Sequence, residues 1–170
     1  MSDHKSRSPL YHLSQASQAE SIVKGIAKLV DPKSKPQEYA DAIFNAVKKY
    51  CSDNEPATAL AIVDAAETDN VGTALLWIGQ KYAGNRNFEG VMRVLEHDSI
   101  QELQATGVVS AYMLEFYDLV EGSAEHKNML TLIDLTRFND SEKQYLREEL
   151  QFVFDRNKKH REHTEEDDES

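Results

Sequence analysis

Residues 71–95, VGTALLWIGQKYAGNRNFEGVMRVL, decide the fold class of this chain. The first half has apolar residues at i, i+4, i+7 and i+11, the spacing of one helix face: Val71, Leu75, Ile78 and Tyr82. The second half has a similar stripe at i, i+3, i+4 and i+7: Phe88, Val91, Met92 and Leu95. Between them, Gly84 and Asn85 both tolerate positive φ, which predicts a helix end and a tight turn. Two helices joined by so short a turn lie antiparallel, so the stretch predicts a helical hairpin.

The composition indicates an acidic protein of one domain. The 170 residues suffice for a single domain or a short solenoid. The net charge of −11 argues against binding to nucleic acid or to an anionic membrane, because both need a basic patch. No apolar run approaches the roughly 18–20 residues of a transmembrane helix. The first residues lack the apolar core of a secretory signal, and the only cysteine, Cys51, has no partner for an internal disulfide. We therefore expect a cytoplasmic protein.

The rest of the chain also predicts helices. Apolar stripes of helical period recur along it, and no segment alternates long enough to predict a strand. Pro36 and Pro56 each suit the first turn of a helix. Asn139 and Glu142 have the spacing of a capping box, whereas Gly107 predicts a break or hinge. Together these signals predict an all-α fold of about eight helices.

The chain ends predict the limits of the domain. Ser17 and Glu20 have the spacing of a capping box, so the first helix is expected to begin there. Residues 1–15 are polar and are expected to form a flexible arm. Residues 161–170 are highly acidic and are expected to form a disordered tail. The predicted single domain spans residues 16–160.

The stripe of residues 71–82 has counterparts that begin at Tyr39 and Ala105, at separations of 32 and 34 residues. A period in this range is typical of stacked helical hairpins. The central copy resembles a tetratricopeptide repeat, whose large, small and aromatic positions are matched in order by Leu75, Ile78, Gly79, Tyr82, Phe88, Val91 and Leu95. It departs from that pattern at Val91, where alanine is usual, and it lacks a closing proline near Asp98. The resemblance implies a right-handed superhelix of about three stacked antiparallel hairpins, with capping helices at both ends.

A second resemblance covers residues 41–70, DAIFNAVKKYCSDNEPATALAIVDAAETDN. This stretch looks like the middle helices of VHS/ENTH-type trafficking domains, which are also right-handed α-superhelices. The expected fold is the same under either resemblance. The implied function differs, because a VHS/ENTH-like chain would be a trafficking adaptor.

The tetratricopeptide resemblance also implies a binding groove lined by the first helix of each hairpin. Carried over residue by residue, its groove positions are Phe44, Asn45 and Lys48 in the first copy, Thr73, Leu76, Trp77 and Gln80 in the second, and Leu114 and Tyr117 in the third. Independently, Leu76 and Trp77 lie off the 71–82 stripe, so the hairpin partner does not cover both fully. A mainly apolar groove suits an amphipathic helix or an extended apolar peptide. The alternative is that Phe44, Trp77 and Tyr117 belong to the core.

Motifs for catalysis are missing from the sequence, which has no HExxH, P-loop, GxSxG or CxxC pattern. We therefore expect no catalytic site, no cofactor and no metal site. His160 and His163 precede a run of acidic residues, and we interpret this segment as a solvated tail and not as metal ligands. Cys51 is either a reactive thiol at a helix end or, as we expect, a buried inert one.

Two functions of different classes follow. The first is an adaptor or chaperone that holds an apolar or amphipathic segment of another protein. Small acidic proteins with three such repeats resemble the translocator chaperones of bacterial type III secretion. An uncovered groove can also pair with a second copy, so a homodimer is a further expectation. The alternative is an acidic inhibitor or nucleic-acid mimic that acts through surface charge, which salt would weaken steeply.

Overall fold

The computed structural model of the chain describes residues 9–168, with side chains for residues 14–164. Over this part of the chain there are eight α-helices and no strand. The helices are α1 (Pro9–Leu29), α2 (Pro36–Ser52), α3 (Pro56–Ala65), α4 (Gly72–Gly84), α5 (Phe88–Leu95), α6 (Glu102–Leu114), α7 (Ala124–Ile133) and α8 (Asp140–Asp168). The all-α class and the expected number of helices are thereby confirmed. None of the described helices is both long and apolar enough to cross a bilayer.

The helices form two compact units, one up to Lys81 and one from Tyr82 onward, with the boundary inside α4. In the first unit, α3 packs against both α1 and α2. Its largest sealed side chains come from α2, α3 and α4: Tyr39, Ile43, Val47, Ile62, Leu75 and Ile78. In the stripe that begins at Tyr39, Ala46 and Tyr50 are only half-buried, and Val47 is buried instead. In the second unit, α6 packs against α5, α7 and α8. Its sealed side chains include Tyr112, Met113, Met129, Leu132, Ile133 and Leu146.

Three helices begin at the prolines and the capping box that predict their starts. Pro36 and Pro56 are the first residues of α2 and α3, as predicted. The box at the start of α8 also forms, because the Asn139 amide donates to the Glu142 carboxylate (2.8 Å) and the Glu142 amide donates to Asn139 Oδ1 (2.8 Å). Gly107 does not break its helix, since α6 runs through it. Burial of flanking apolar residues offsets the cost of about 1 kcal/mol for glycine in a helix.

Both terminal helices are longer than expected. α1 starts at Pro9 and runs through Ser17, so the predicted capping box does not mark its start. No proline or glycine interrupts the segment from Pro9 to Gly25 to stop a helix. α8 continues to Asp168, beyond the expected start of the acidic tail. The predictions for residues 1–8 and 169–170 lie outside the described residues.

The turns after α2 and α4 share one hydrogen-bond pattern. After α2, the Asn54 amide donates to the Cys51 carbonyl (3.1 Å) and the Glu55 amide to the Tyr50 carbonyl (2.8 Å). After α4, the Arg86 amide donates to the Ala83 carbonyl (2.9 Å) and the Asn87 amide to the Tyr82 carbonyl (2.9 Å). Each pair is a Schellman motif, which ends a helix on a residue of positive φ.

The left-handed residues of these motifs are Asn54 (φ 57°) and Arg86 (φ 54°). The prediction that Gly84 and Asn85 make the turn with positive φ is therefore wrong, because α4 extends through Gly84 and the left-handed position falls on Arg86. The Arg86 side chain is held in place, since it donates to the Glu115 carbonyl (2.6 Å) and lies 4.7 Å from the centroid of the Phe116 ring. These contacts offset the backbone cost of a left-handed arginine.

One glycine and one arginine make specific packing contacts in the second unit. Gly90 of α5 faces the ring of Tyr82, and a Cβ added there would lie 2.5 Å from Tyr82 Cε1 and nearer still to two other ring carbons. Arg137 donates to the Leu95 and Ile100 carbonyls and pairs with the Glu102 carboxylate at 3.3 Å. The Arg137 side chain is only 19% exposed, so it satisfies main-chain acceptors where water has little access.

Candidate functional site

The candidate site of the first unit is a half-buried aromatic pair on α2 and α4. The Trp77 side chain lies off the buried stripe of α4 and is 39% exposed. Its indole meets the half-buried Phe44 ring of α2 edge-on, with centroids 5.8 Å apart and planes at 82°. Such an edge-to-face pair is a favoured aromatic geometry. Trp77 is therefore not sealed in the core, although Phe44 supports it from one side.

Lys48 completes this pair. It follows Phe44 by one helical turn, a spacing that places both side chains on the same face of α2. Its Nζ lies 5.6 Å from the Phe44 ring centroid and 5.1 Å from that of Trp77. A cation over exposed rings contributes about 0.5–1 kcal/mol. We call Phe44, Lys48 and Trp77 the Trp77 surface.

The structure brings together these three of the seven residues predicted for the first two copies. The other four lie on the same two helices: Asn45, Thr73 and Gln80 are exposed and Leu76 is half-buried. Phe44 pairs with Trp77, while Lys81 of α4 acts electrostatically on Cys51 of α2.

The segments around the Trp77 surface carry no acidic residue. None occurs between Asp41 and Asp53 or between Asp69 and Glu89, although the chain has 30 Asp and Glu residues among its 170. Within α2 and α4 these acid-free segments carry three lysines: Lys48, Lys49 and Lys81. The surface is thus locally basic on a chain whose net charge is −11.

The two predicted residues of the third copy lie in the second unit. Leu114 ends α6 and is half-buried, and Tyr117 follows it with a side chain 64% exposed. Arg156 of α8 donates to the Leu114 carbonyl at 3.3 Å, and its Cζ lies 4.4 Å from the Tyr117 ring centroid. A cation at the carboxyl end of α6 also complements the helix dipole. The sequence interpretation missed Arg156, which had no local motif to mark it.

α6 and α8 run parallel. Ser110 donates to the Glu149 carboxylate at 3.1 Å, and four residues further along α6 the Leu114 carbonyl accepts from Arg156. The buried amide of Asn157 donates to the Phe116 carbonyl at 3.0 Å and continues this seam. The second unit therefore contains a pair of parallel helices that are separated in sequence by α7.

An open cavity of about 540 Å³ lies in the second unit and contains none of the predicted residues. Its lining combines apolar side chains with charges of both signs: Leu119, Val120, Glu121, His126, Arg147, Leu150, Gln151, Phe154, Asp155, Lys158 and Arg161. His126 Nδ1 accepts from the Gly122 amide (2.9 Å), and its ring packs edge-on against Phe154. The cavity forms between segments distant in sequence, so no local pattern predicts it.

The thiol of Cys51 is buried, which favours the inert alternative over the reactive one. Burial raises the pKa of Cys51 from 9.0 to about 11, because the anionic thiolate is poorly solvated there; the nearby Lys81 charge acts in the opposite direction. Over the part of the chain that the structure describes, no three His, Cys, Asp or Glu side chains converge to hold a metal ion.

Comparisons of this chain with models of protein families, with characterised proteins and with solved structures give no match. The tetratricopeptide and VHS/ENTH resemblances therefore depend on the residues quoted in the sequence analysis alone.

Proposed function

We propose that this protein is a non-enzymatic binding module, an adaptor or chaperone, that holds an apolar or amphipathic segment of another protein against α2 and α4. The observation that carries the proposal is the 39% exposure of Trp77, the only tryptophan, beside Phe44. Covering the exposed part of the indole would remove roughly 100 Å² from water, worth about 2.5 kcal/mol. Trp and Tyr are frequent anchors of protein interfaces for this reason.

We further propose a tetratricopeptide-like stack of hairpins, arranged as a right-handed superhelix. Its support is the repeated Schellman turn, whose left-handed residues Asn54 and Arg86 are 32 residues apart, the spacing of the first two stripes. The parallel pair of α6 with α8 is what equivalent helices of neighbouring hairpins form. In this arrangement, the Trp77 surface lies on the first helices of the hairpins in the first unit. A VHS/ENTH-like adaptor is the alternative with the same handedness.

Peptide selection followed by fluorescence tests this function. Peptides selected on the folded protein from a random display library would be titrated while the emission of Trp77 is recorded. We expect amphipathic or apolar peptides that shift the emission to shorter wavelength as the indole loses water. Trp77→Ala should weaken their binding at least about tenfold, measured by calorimetry, with unchanged circular dichroism.

The matched control is Phe152→Ala, because Phe152 is also an exposed aromatic (56%) but lies on α8 of the second unit. This variant should bind as the wild type does. Equal losses in the two variants, or selected peptides that leave Trp77 emission unchanged, would refute the assignment. An unfolded Trp77→Ala variant would show a core role, and Trp77→Phe then tests the surface with a smaller change.

Salt dependence separates this function from the alternative of an acidic inhibitor or nucleic-acid mimic. Binding through the Trp77 surface should change only a few-fold between about 0.15 M and 0.5 M salt, because its main term is apolar. Charge mimicry should weaken by orders of magnitude over the same range. The net charge of −11 is the observation that supports this second function.

A further inference from the structure

We infer that the segment bound at the Trp77 surface is acidic as well as apolar: one of its carboxylates binds the Lys48 ammonium while a neighbouring apolar side chain covers the Trp77 indole. This inference rests on the proposed function and names the chemistry of the partner. It commits the surface to an amphipathic acidic segment of another protein.

The first support is the charge pattern. The chain averages more than one acidic residue in every six, yet the segments 42–52 and 70–88 have none. The nearest acid before Phe44 on α2 is Asp41, which accepts a hydrogen bond from Gln37 (3.0 Å). Lys48 and Lys49 lie in the first of these two acid-free segments and Lys81 lies in the second. A basic segment would meet like charges here, and an acidic one would meet opposite charges.

The second support is the state of Lys48. Among the described residues, its ammonium makes no ion pair and lies instead over two aromatic rings. A ring contact occupies one side of the ammonium, so its remaining N–H donors are directed to solvent or to a ligand. A partner carboxylate can bind them without displacing Lys48 from the rings.

The third support is the coupling of the two contacts. An apolar side chain laid on Trp77 excludes water from the neighbouring ammonium. The lower local dielectric strengthens a charge-assisted hydrogen bond to Lys48. The two contacts are therefore expected to reinforce each other, and a carboxylate without an apolar neighbour should bind weakly.

The net charge of the chain opposes this partner only at long range. The screening length at physiological ionic strength is about 8 Å, so charges further away act weakly at the Trp77 surface. Lys48, within contact distance, then dominates the local potential. At low salt the distant acidic residues should repel an acidic segment, and the ratio of its affinity to that of a neutral segment should decrease.

Three amphipathic peptides with one apolar face and a polar face of Glu, Gln or Lys test the inference. At about 0.15 M salt, we expect the Glu peptide to bind the wild type at least about fivefold more tightly than the Gln peptide, with the Lys peptide weakest. Lys48→Gln should reduce the Glu preference to less than about twofold, and Lys48→Glu should reverse the order. Trp77 emission and calorimetry measure the affinities.

Lys159→Gln is the matched control, since Lys159 is an exposed lysine on α8 of the second unit, and it should keep the wild-type order. Equal binding of all three peptides, with a loss in Trp77→Ala, would overturn the inference and leave the proposed function standing. Binding of none would overturn both. Self-association that Trp77→Ala abolishes would assign the surface to a second copy and would also overturn the inference.

Discussion

Replacing Gly90 by alanine should destabilise the second unit, although the same change usually stabilises a helix. Gly90 lies inside α5, where alanine in place of glycine gains about 1 kcal/mol of helix propensity. The added Cβ, however, would overlap the ring of Tyr82, which is only 4% exposed and has no open space to enter. In Gly90→Ala, the higher helix propensity of alanine therefore opposes the steric overlap of its Cβ with the Tyr82 ring.

The steric cost exceeds the gain. Overpacking a filled core costs about 1–3 kcal/mol. Expelling the ring altogether would approach the about 3–5 kcal/mol lost when a buried large aromatic is truncated. After the propensity gain of about 1 kcal/mol is subtracted, about 0–2 kcal/mol remains if the ring shifts within the core and about 2–4 kcal/mol if it is expelled. We expect the free energy of unfolding to fall by about 2 kcal/mol, where the two ranges meet. Gly25 of α1 provides the contrast, because a Cβ there meets nothing within 4 Å. Gly25→Ala should therefore raise the free energy of unfolding by about 1 kcal/mol.

Urea unfolding followed by far-ultraviolet circular dichroism measures both variants. A double-mutant cycle isolates the cause: in a Tyr82→Ala background, the overlapping ring atoms are gone, so Gly90→Ala should become neutral or stabilising. If Gly90→Ala stabilises the wild-type protein as much as Gly25→Ala does, or if the Tyr82→Ala background leaves its cost unchanged, the steric reasoning is refuted.

Two further predictions concern the buried thiol and the buried guanidinium. The Cys51 thiol should resist Ellman's reagent at about pH 8 in the native protein and react once it is unfolded. Burial raises the pKa of Cys51 from 9.0 to about 11. The contribution of the protonated thiol to stability is therefore complete below pH 9 and is lost as the pH rises through 11. Cys51→Ala should show a shallower alkaline decline in the free energy of unfolding. Arg137→Met should lower that free energy by about 1–3 kcal/mol, because the Leu95 and Ile100 carbonyls lose their donor. Loss of the half-exposed Arg147 ion pair in Arg147→Met should cost no more than about 1 kcal/mol, and an equal cost in the two variants would contradict this assignment.

The elements that sequence reasoning predicted are those set by local periodicity. The stripe of residues 71–82 and its counterpart from Ala105 to Phe116 are buried, because a spacing of i, i+4, i+7 and i+11 fixes one face of a helix whatever packs against it. The proline starts of α2 and α3 likewise depend only on neighbouring residues.

The features it missed depend on contacts between distant residues. Arg86 is left-handed because its side chain is held by the Phe116 segment, a constraint that no turn propensity contains. Gly90 is required by a ring eight residues earlier, and Arg137 is positioned by carbonyls near α5 and α6. The predicted start of α1 at Ser17 was wrong, because a capping-box spacing marks a helix start only where no helix precedes it, and α1 already begins at Pro9.

The candidate site was predictable only in part. The off-stripe position of Trp77 correctly indicated that its ring is not sealed within the chain. Its contact with Phe44 involves two helices and could be expected only from the family resemblance. The place of Lys48 over both rings follows from the helix spacing once that contact exists. Arg156, beside Tyr117, comes from a helix that the repeat pattern did not include.

The length of α8 predicts where local unfolding of this protein begins. Among the residues of α8 whose side chains the structure describes, Asn157 is the last buried one, and residues 158–164 are all exposed. From residue 158 to its end at Asp168, the helix extends about 16 Å with backbone bonds as its main support. Its last turn has no basic residue, so its acids face the negative end of the dipole. Because the buried part of α8 supplies the helix nucleus, we expect the exposed part to fray at neutral pH and to lengthen when acid neutralises its carboxylates. Amide exchange and proteolysis should therefore begin there, and mild acid should extend the helical signal.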